Sequence, residues 1–197
     1  MSDAIYQLYG SEMSPYSVKV RSYLRYKGIA HQWIARQPSN DSAYKAVAKL
    51  PIVPTLVTPG GEGVQDSTPI IEMLEREFPA PSIHPESLPL RFLSALIEEF
   101  GDEWGNKIMF HYRWWDELDQ RAAAKTLARL AQPLAGDADI SGLADLIRGR
   151  MTGRGFFVGS SSATAPFNSG IFSGTDRPVI CASGLAPVFI RRATIIW

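Results

Sequence analysis

Cysteine is almost missing from this sequence: Cys181 is the single thiol in 197 residues. An internal disulfide and a cysteine-rich metal site are therefore excluded. A surplus of one charge is missing as well. The 20 basic residues balance the 20 acidic ones, for a formal net charge of zero. Nothing in that balance draws the chain to nucleic acid or to an anionic membrane. No apolar run approaches the ~18 residues that a membrane-spanning helix needs. The first residues lack the basic-then-apolar order of a signal peptide. The cytosol is the expected compartment, and no cluster has the spacing of metal ligands.

What is present is organised around residues 50–71. Leu50-Pro51-Ile52-Val53-Pro54 leads into Thr55-Leu56-Val57, and Gly60, Gly61 and Gly63 make a tight turn. Gln65-Asp66-Ser67-Thr68-Pro69-Ile70-Ile71 then opens a helix. Such a unit can hold a small peptide. Extended backbone at Val53 can pair with a peptide main chain by strand addition. A helix N-terminus at Ser67 can take a carboxylate on N–H groups that have no intrahelical partner.

The chain before this stretch alternates strand and helix. Residues 5–9 read as a strand that ends at Gly10. Ser14-Pro15 reads as an N-cap and a proline at the first helical position. Tyr16, Val20, Tyr23, Leu24 and Lys27 follow at helical spacing, and Gly28 stops the helix. Residues 29–36 fit a second strand, and Ser39-Asn40-Asp41 caps a short helix that runs to about Leu50. Thr55 to Val57 and Val64-Gln65 are further strands, and Thr68 to Phe78 is a helix stopped by Pro79. Strand-helix-strand units imply a parallel pair, and the glycine-rich turn implies an antiparallel one. Residues 1–79 are thus expected to form an α/β, thioredoxin-like domain.

Residues 80–89, with Pro81, Pro85 and Pro89, read as a linker. Residues 90–150 read as an all-α domain. Its first helix spans 90–112, with Phe92, Leu93, Leu96, Ile97 and Phe100 on one face; Gly101 and Gly105 weaken its middle. A second spans 116–134 with Leu118, Ala122, Leu127 and Leu130 inward, and a third includes Leu143 to Arg148. Residues 151–197 read as irregular: residues 153–186 are rich in Gly, Ser, Thr and Pro and show no helical period, and a structureless stretch this long inside a compact domain counts against itself.

The order of these features resembles the glutathione S-transferase family. Ser14-Pro15-Tyr16-Ser17 with Val18-Lys19-Val20-Arg21, Val53-Pro54 before a strand, and Asp66-Ser67 at a helix start carry the resemblance over residues 4–132. The resemblance implies that glutathione serves as co-substrate and that a small electrophile is the partner. The activity would be conjugation, or removal of a halide or a peroxide oxygen, in detoxification. It implies that Val53, before a cis Pro54, offers its backbone to the cysteinyl unit. Ser67 would take the γ-glutamyl carboxylate through its hydroxyl and N–H, and Asp66 would take the amino group. Ser14 would donate a hydrogen bond to the glutathione sulfur; Ser11 and Tyr9 are alternative donors. Related redox proteins have cysteine where Ser14 and Ser17 stand, and a disulfide cycle needs thiolates. Glutaredoxin-type reduction by these positions is therefore excluded. The resemblance also allows a homodimer.

Each of these residues has a plainer reading. Ser14 and Asp66-Ser67 are good helix caps, and Pro54 can simply start a strand. Lys19 and Arg21 are expected on the exposed side of their helix, and His31 in or beside the second strand. Trp104, Lys107, His111 and Trp115 either line a cleft for the electrophile or belong to the core. The family's basic residue before Val53 is replaced by Ile52, with Lys45 or Lys49 as substitutes. The family's Gly-Gly-Arg-Pro-Ser segment and the acidic N-cap of its buried helix are also missing, so the resemblance implies an incomplete all-α domain. A one-base shift under GC-leaning codons turns residues 188–196 into Tyr-Leu-Phe-Gly-Gly-Arg-Pro-Ser-Ser, so residues from about Ala165 read as an out-of-frame tail. Two rival functions follow: a non-catalytic transferase-like binding protein, and an inactive truncated product.

Overall fold

Strand formers at residues 6–10 and 31–35 build the parallel pair of a four-stranded sheet. The computed structural model describes residues 5–155 and the backbone of 189–191 and 194–196. Two units are distinguished: Met1–Glu98 with Ala186–Trp197, and Glu99–Leu185. In the first, β1 (Tyr6–Gly10), β2 (His31–Ala35), β3 (Thr55–Val57) and β4 (Gly63–Gln65) lie in the order β2-β1-β3-β4. β1 and β2 run parallel; β1–β3 and β3–β4 run antiparallel. With α1 (Pro15–Lys27), α2 (Asp41–Val47) and α3 (Ser67–Glu77) as connections, this is the thioredoxin-like arrangement. A 3₁₀ turn, Pro38–Asn40, leads into α2, so that helix is shorter than the sequence suggests. Residues 189–191 and 194–196 pair as antiparallel strands β5 and β6. The rest of the tail read as out of frame lies outside the described residues.

Alternation along β1 splits the core between the two faces of the sheet. Tyr6 and Leu8 join Val20, Tyr23 and Leu24 of α1, Leu56 of β3, and Ile70, Ile71 and Leu74 of α3. Tyr9 points the other way and packs with Tyr44 of α2 and Val57. Full burial of side chains such as Leu8, Leu24 and Leu74 contributes about 1.5–3 kcal/mol each.

Helix ends follow local chemistry. Ser14 caps α1 by accepting the Ser17 N–H at 3.2 Å, and Pro15 takes the first position. Gly28 ends the helix at φ 68°, a conformation in which a Cβ is costly. Where α1 and α3 finish, the buried Lys27 ammonium lies 2.6 Å from Glu75. It also donates to the carbonyls of Phe78 at 2.6 Å and Pro81 at 2.7 Å. Glu75 also accepts from the Tyr23 hydroxyl at 2.6 Å and from the Ile83 N–H at 3.3 Å. Burial pushes the Glu75 carboxyl up, but the hydrogen bonds from Lys27, Tyr23 and Ile83 outweigh it and hold it below its ordinary value.

α4 (Leu88–Phe100) carries the expected apolar face, yet Phe92, Leu93, Leu96, Ile97 and Phe100 are all exposed. The long first helix is not continuous. A π-helical turn at Gly101–Gly105, where two glycines were expected to weaken it, separates α4 from α5 (Asn106–Trp115). In the second unit, α6 (Glu117–Ala131) starts at the Asp116 cap, and α7 (Asp137–Thr152) is longer than the sequence suggested. The inward face of α6 also differs. Leu118 and Ala122 are exposed, while Ala123, Ala124 and Ala128 are buried. Among the described residues no helix is long and apolar enough to cross a membrane.

Candidate functional site

Register brings three distant segments to one end of the sheet. Tyr9 of β1 faces Thr55 of β3, and Thr55 faces Gln65 of β4. One residue further along each strand lie Gly10, Pro54 and Asp66. Ser14 follows from β1, Val53 precedes β3, and Ser67 follows from β4. The N-termini of α1 and α3 open at this same end. The sequence-predicted residues Ser14, Val53, Pro54, Asp66 and Ser67 therefore converge.

The geometry of each is specific. The Val53–Pro54 peptide is cis. Val53 is half-buried, and no described residue bonds its backbone N–H or C=O. The Pro54 carbonyl accepts the Asp66 N–H at 3.2 Å. Asp66 is exposed and stands at φ 78°, ψ 143°. That region is costly for a residue with a Cβ, about 1–3 kcal/mol, and such outliers cluster at functional sites. Its Oδ1 accepts the Ser67 N–H at 2.6 Å. Ser67 is fully buried, and its Oγ has no partner. Asp66 thus takes the Ser67 N–H, and the Ser67 hydroxyl is left without a partner.

At α1, Ser14 is half-buried, and its Oγ accepts the Ser17 N–H. That bond uses an oxygen lone pair and leaves the hydroxyl proton to donate elsewhere. Ser17 is buried, with an Oγ that has no partner. Of the alternative donors, Ser11 Oγ accepts the Met13 N–H at 3.3 Å, and Tyr9 is buried edge-on to Tyr44 at 5.5 Å.

Several residues play parts that the sequence did not show. Gln65 and Tyr44 bind residues 49–52. Glu98 of α4 accepts from Lys19 at 2.6 Å and from Thr68 at 2.7 Å, tying α1 to α3. Lys19 and Arg21 are not on an exposed side. Lys19 pairs with Glu98, while Arg21 makes a two-pronged bond to Glu12 and stacks on Trp33 at 4.2 Å. No local pattern signals Glu98, 79 positions from Lys19. Lys45, offered as a substitute cation, pairs with Asp41 at 2.7 Å. His31 starts β2, with Nδ1 2.8 Å from the Ile29 carbonyl. On α5, His111 is buried and stacks on Trp115 at 5.0 Å; Nδ1 has no partner, and burial pushes its pKa down. Trp104 is exposed beneath Lys107 at 4.8 Å. No metal-binding cluster occurs among the described residues.

Comparison with known proteins gives one family match and several more distant likenesses. The family model of the glutathione S-transferase N-terminal domain matches residues 8–82. A probable glutathione S-transferase of Zea mays is 25% identical over 169 residues, 78% of this chain and 66% of the relative. The chain thus spans about two thirds of that relative's length. A transferase structure from Methylobacterium radiotolerans, solved with glutathione sulfonate, is 20% identical with a TM-score of 0.49. The match covers 82% of this chain and 93% of that one. The Tau class transferase of mango is 17% identical with a TM-score of 0.49, over 84% and 85% of the two chains.

Proposed function

We propose that this protein binds glutathione and conjugates it to a small electrophile. One observation carries the reading: an unpaired backbone N–H and C=O at Val53, set beside the mouth of α3. A peptide's main chain can add there as a short strand. The residues present fit the rest of the tripeptide. The buried, unpartnered Ser67 hydroxyl is a donor without a task, and such groups call for a partner. Asp66 supplies an exposed carboxylate for the amino group. The N-terminus of α3 favours the ligand's carboxylate, and that of α1 favours a thiolate.

Ser14 then donates a hydrogen bond from its hydroxyl to the glutathione sulfur, whose thiol proton leaves to solvent. The thiolate attacks the electrophilic carbon, a carbon–sulfur bond forms, and a leaving group departs with its electron pair or an activated double bond takes the pair. A second reading, binding without chemistry, has one observation in its favour: the Ser14 oxygen is already engaged as a helix cap.

Calorimetry with glutathione tests the binding. The parent is expected to bind, and Ser67→Ala to bind at least about tenfold more weakly, the loss of one hydrogen bond to a charged group. Because the Ser67 Oγ has no partner in the free protein, the variant should melt no earlier than the parent. A well-folded parent that ignores millimolar glutathione would end the reading. Turnover of a panel of electrophiles separates the transferase from the silent binder.

A further inference from the structure

Residues 48–54 carry the candidate peptide-binding backbone, and apolar packing holds only the ends of the stretch: Ala48 and Val53 pack against the cluster of Tyr9, Tyr44 and Val57, and Pro54 is buried. Leu50 and Ile52 are 57% and 44% exposed. Polar bonds hold them instead. The β3–β4 ladder ends at the pair Thr55–Gln65. Past that rung the side chain of Gln65 takes over from the backbone. Its Oε1 accepts the N–H of Lys49 at 2.8 Å and of Leu50 at 3.0 Å. Its Nε2 donates to the Leu50 carbonyl at 2.8 Å. A carboxamide offers the same donor and acceptor as a peptide unit, and these partners leave it one orientation. The Tyr44 hydroxyl joins the same cluster. It lies 3.2 Å from the Leu50 carbonyl and 3.2 Å from Thr55 Oγ1, and bonds the Ile52 carbonyl. Val53 is thus suspended between Ile52, held by Tyr44, and Thr55, held by the sheet.

We propose that Gln65 is a positioning residue for the glutathione site. It fixes residues 49–52 so that the Val53 N–H and C=O already stand where the ligand's main chain needs them. The proposal rests on the glutathione reading above. Binding to backbone that is already ordered avoids the ordering cost that a loose loop adds to every binding event. Loss of Gln65 should therefore raise KM for glutathione and leave kcat in place.

Gln65→Leu keeps most of the bulk and removes the bonds to Lys49 and Leu50, together with the longer Nε2 contacts to the Tyr44 hydroxyl, the Ile52 carbonyl and Thr55 Oγ1. Two measurements judge it: native-state hydrogen exchange at the Lys49 and Leu50 amides without ligand, and the calorimetric Kd for glutathione. Exchange at both amides is expected to rise about tenfold, while β1 and α3 keep the parent's protection. The Kd is expected to weaken about tenfold. Unchanged exchange at Lys49 and Leu50 overturns the clamp. Faster exchange with the parent's Kd overturns its role in binding, as does a general loss of protection that reaches β1 and α3. A parent that does not bind glutathione ends the glutathione reading and the role in binding together, and exchange then decides the clamp alone. Should Gln65→Leu fail to fold, Gln65→Met is measured in the same way. It keeps an unbranched side chain of similar length and removes the carboxamide that holds the Lys49 and Leu50 amides, so the same outcomes decide.

Discussion

Two substitutions of Ser14 separate its work as a cap from its work on a thiol. The oxygen accepts the Ser17 N–H at 3.2 Å, and the proton is left for the sulfur. At φ −97°, ψ 115° the backbone is extended, so Ala and Gly both fit. Losing a serine cap costs about 1 kcal/mol when Ala replaces it and a few tenths when Gly does. A hydrogen bond donated to a charged acceptor contributes about 1.5–3 kcal/mol, or about one to two pKa units. A thiol that ordinarily titrates near 8.5 would then titrate at about 6.5–7.5 on the parent. Both variants return it toward 8.5, less the share that the α1 N-terminus keeps. At pH 6.5 the thiolate fraction falls by roughly ten- to fiftyfold. The assay is ultraviolet titration of bound glutathione, with a thermal melt beside it. Both variants should lose the pKa shift alike, and only Ser14→Ala should melt appreciably lower, by about 2–4 °C. A Ser14→Gly complex whose thiol titrates like the parent's would refute the assignment and turn attention to Ser11 and Tyr9.

Three further predictions concern the frame around the site. Lys27→Met leaves the buried Glu75 carboxylate without its cation and should cost about 3–5 kcal/mol in denaturant melts. Adding Glu75→Leu should recover much of that, and a double variant no better than the single would count against the pair. An added Cβ at Gly63 would lie 1.9 Å from the carbonyl oxygen of Val47. Gly63→Ala should therefore cost about 3 kcal/mol by overpacking against backbone, read from the same melts. His111 is held neutral by burial, so its folded pKa lies below the ordinary 6.5. The unfolded chain then takes up its proton first on acidification, and stability is lost as pH falls below 6.5. His111→Phe should flatten that part of the stability profile.

Local chemistry was the most legible part of the fold. Ser14, Pro15 and Gly28 mark the ends of α1 to the residue, because a cap is decided by neighbours within one turn. Thr55–Val57 was legible for a similar reason, being bounded by a proline and a turn. Packing was less so. In α6 the small residues Ala123, Ala124 and Ala128 are buried while Leu118 is 76% exposed. A helix that approaches its neighbour closely buries its small side chains, so ranking residues by hydrophobicity selects the wrong face. Lys19 and Arg21 were misplaced because Glu98 and Trp33, which take them in, lie far along the chain.

The candidate site was legible only as far as its side chains advertise it. Ser14, Asp66 and Ser67 are visible as caps, but the role proposed for Val53 belongs to its backbone, about which its side chain says nothing. What places Val53 at this end of the sheet is register: Tyr9 against Thr55, and Thr55 against Gln65. A slip of one residue would turn every side chain of β4 to the opposite face. Gln65 would leave Lys49 and Leu50, and Asp66 would leave the Pro54 carbonyl. The same residue thus closes the ladder and holds residues 49–52. In the sequence it passes for an ordinary polar residue at the end of a short strand, because its partners are main-chain groups 15 and 16 positions away.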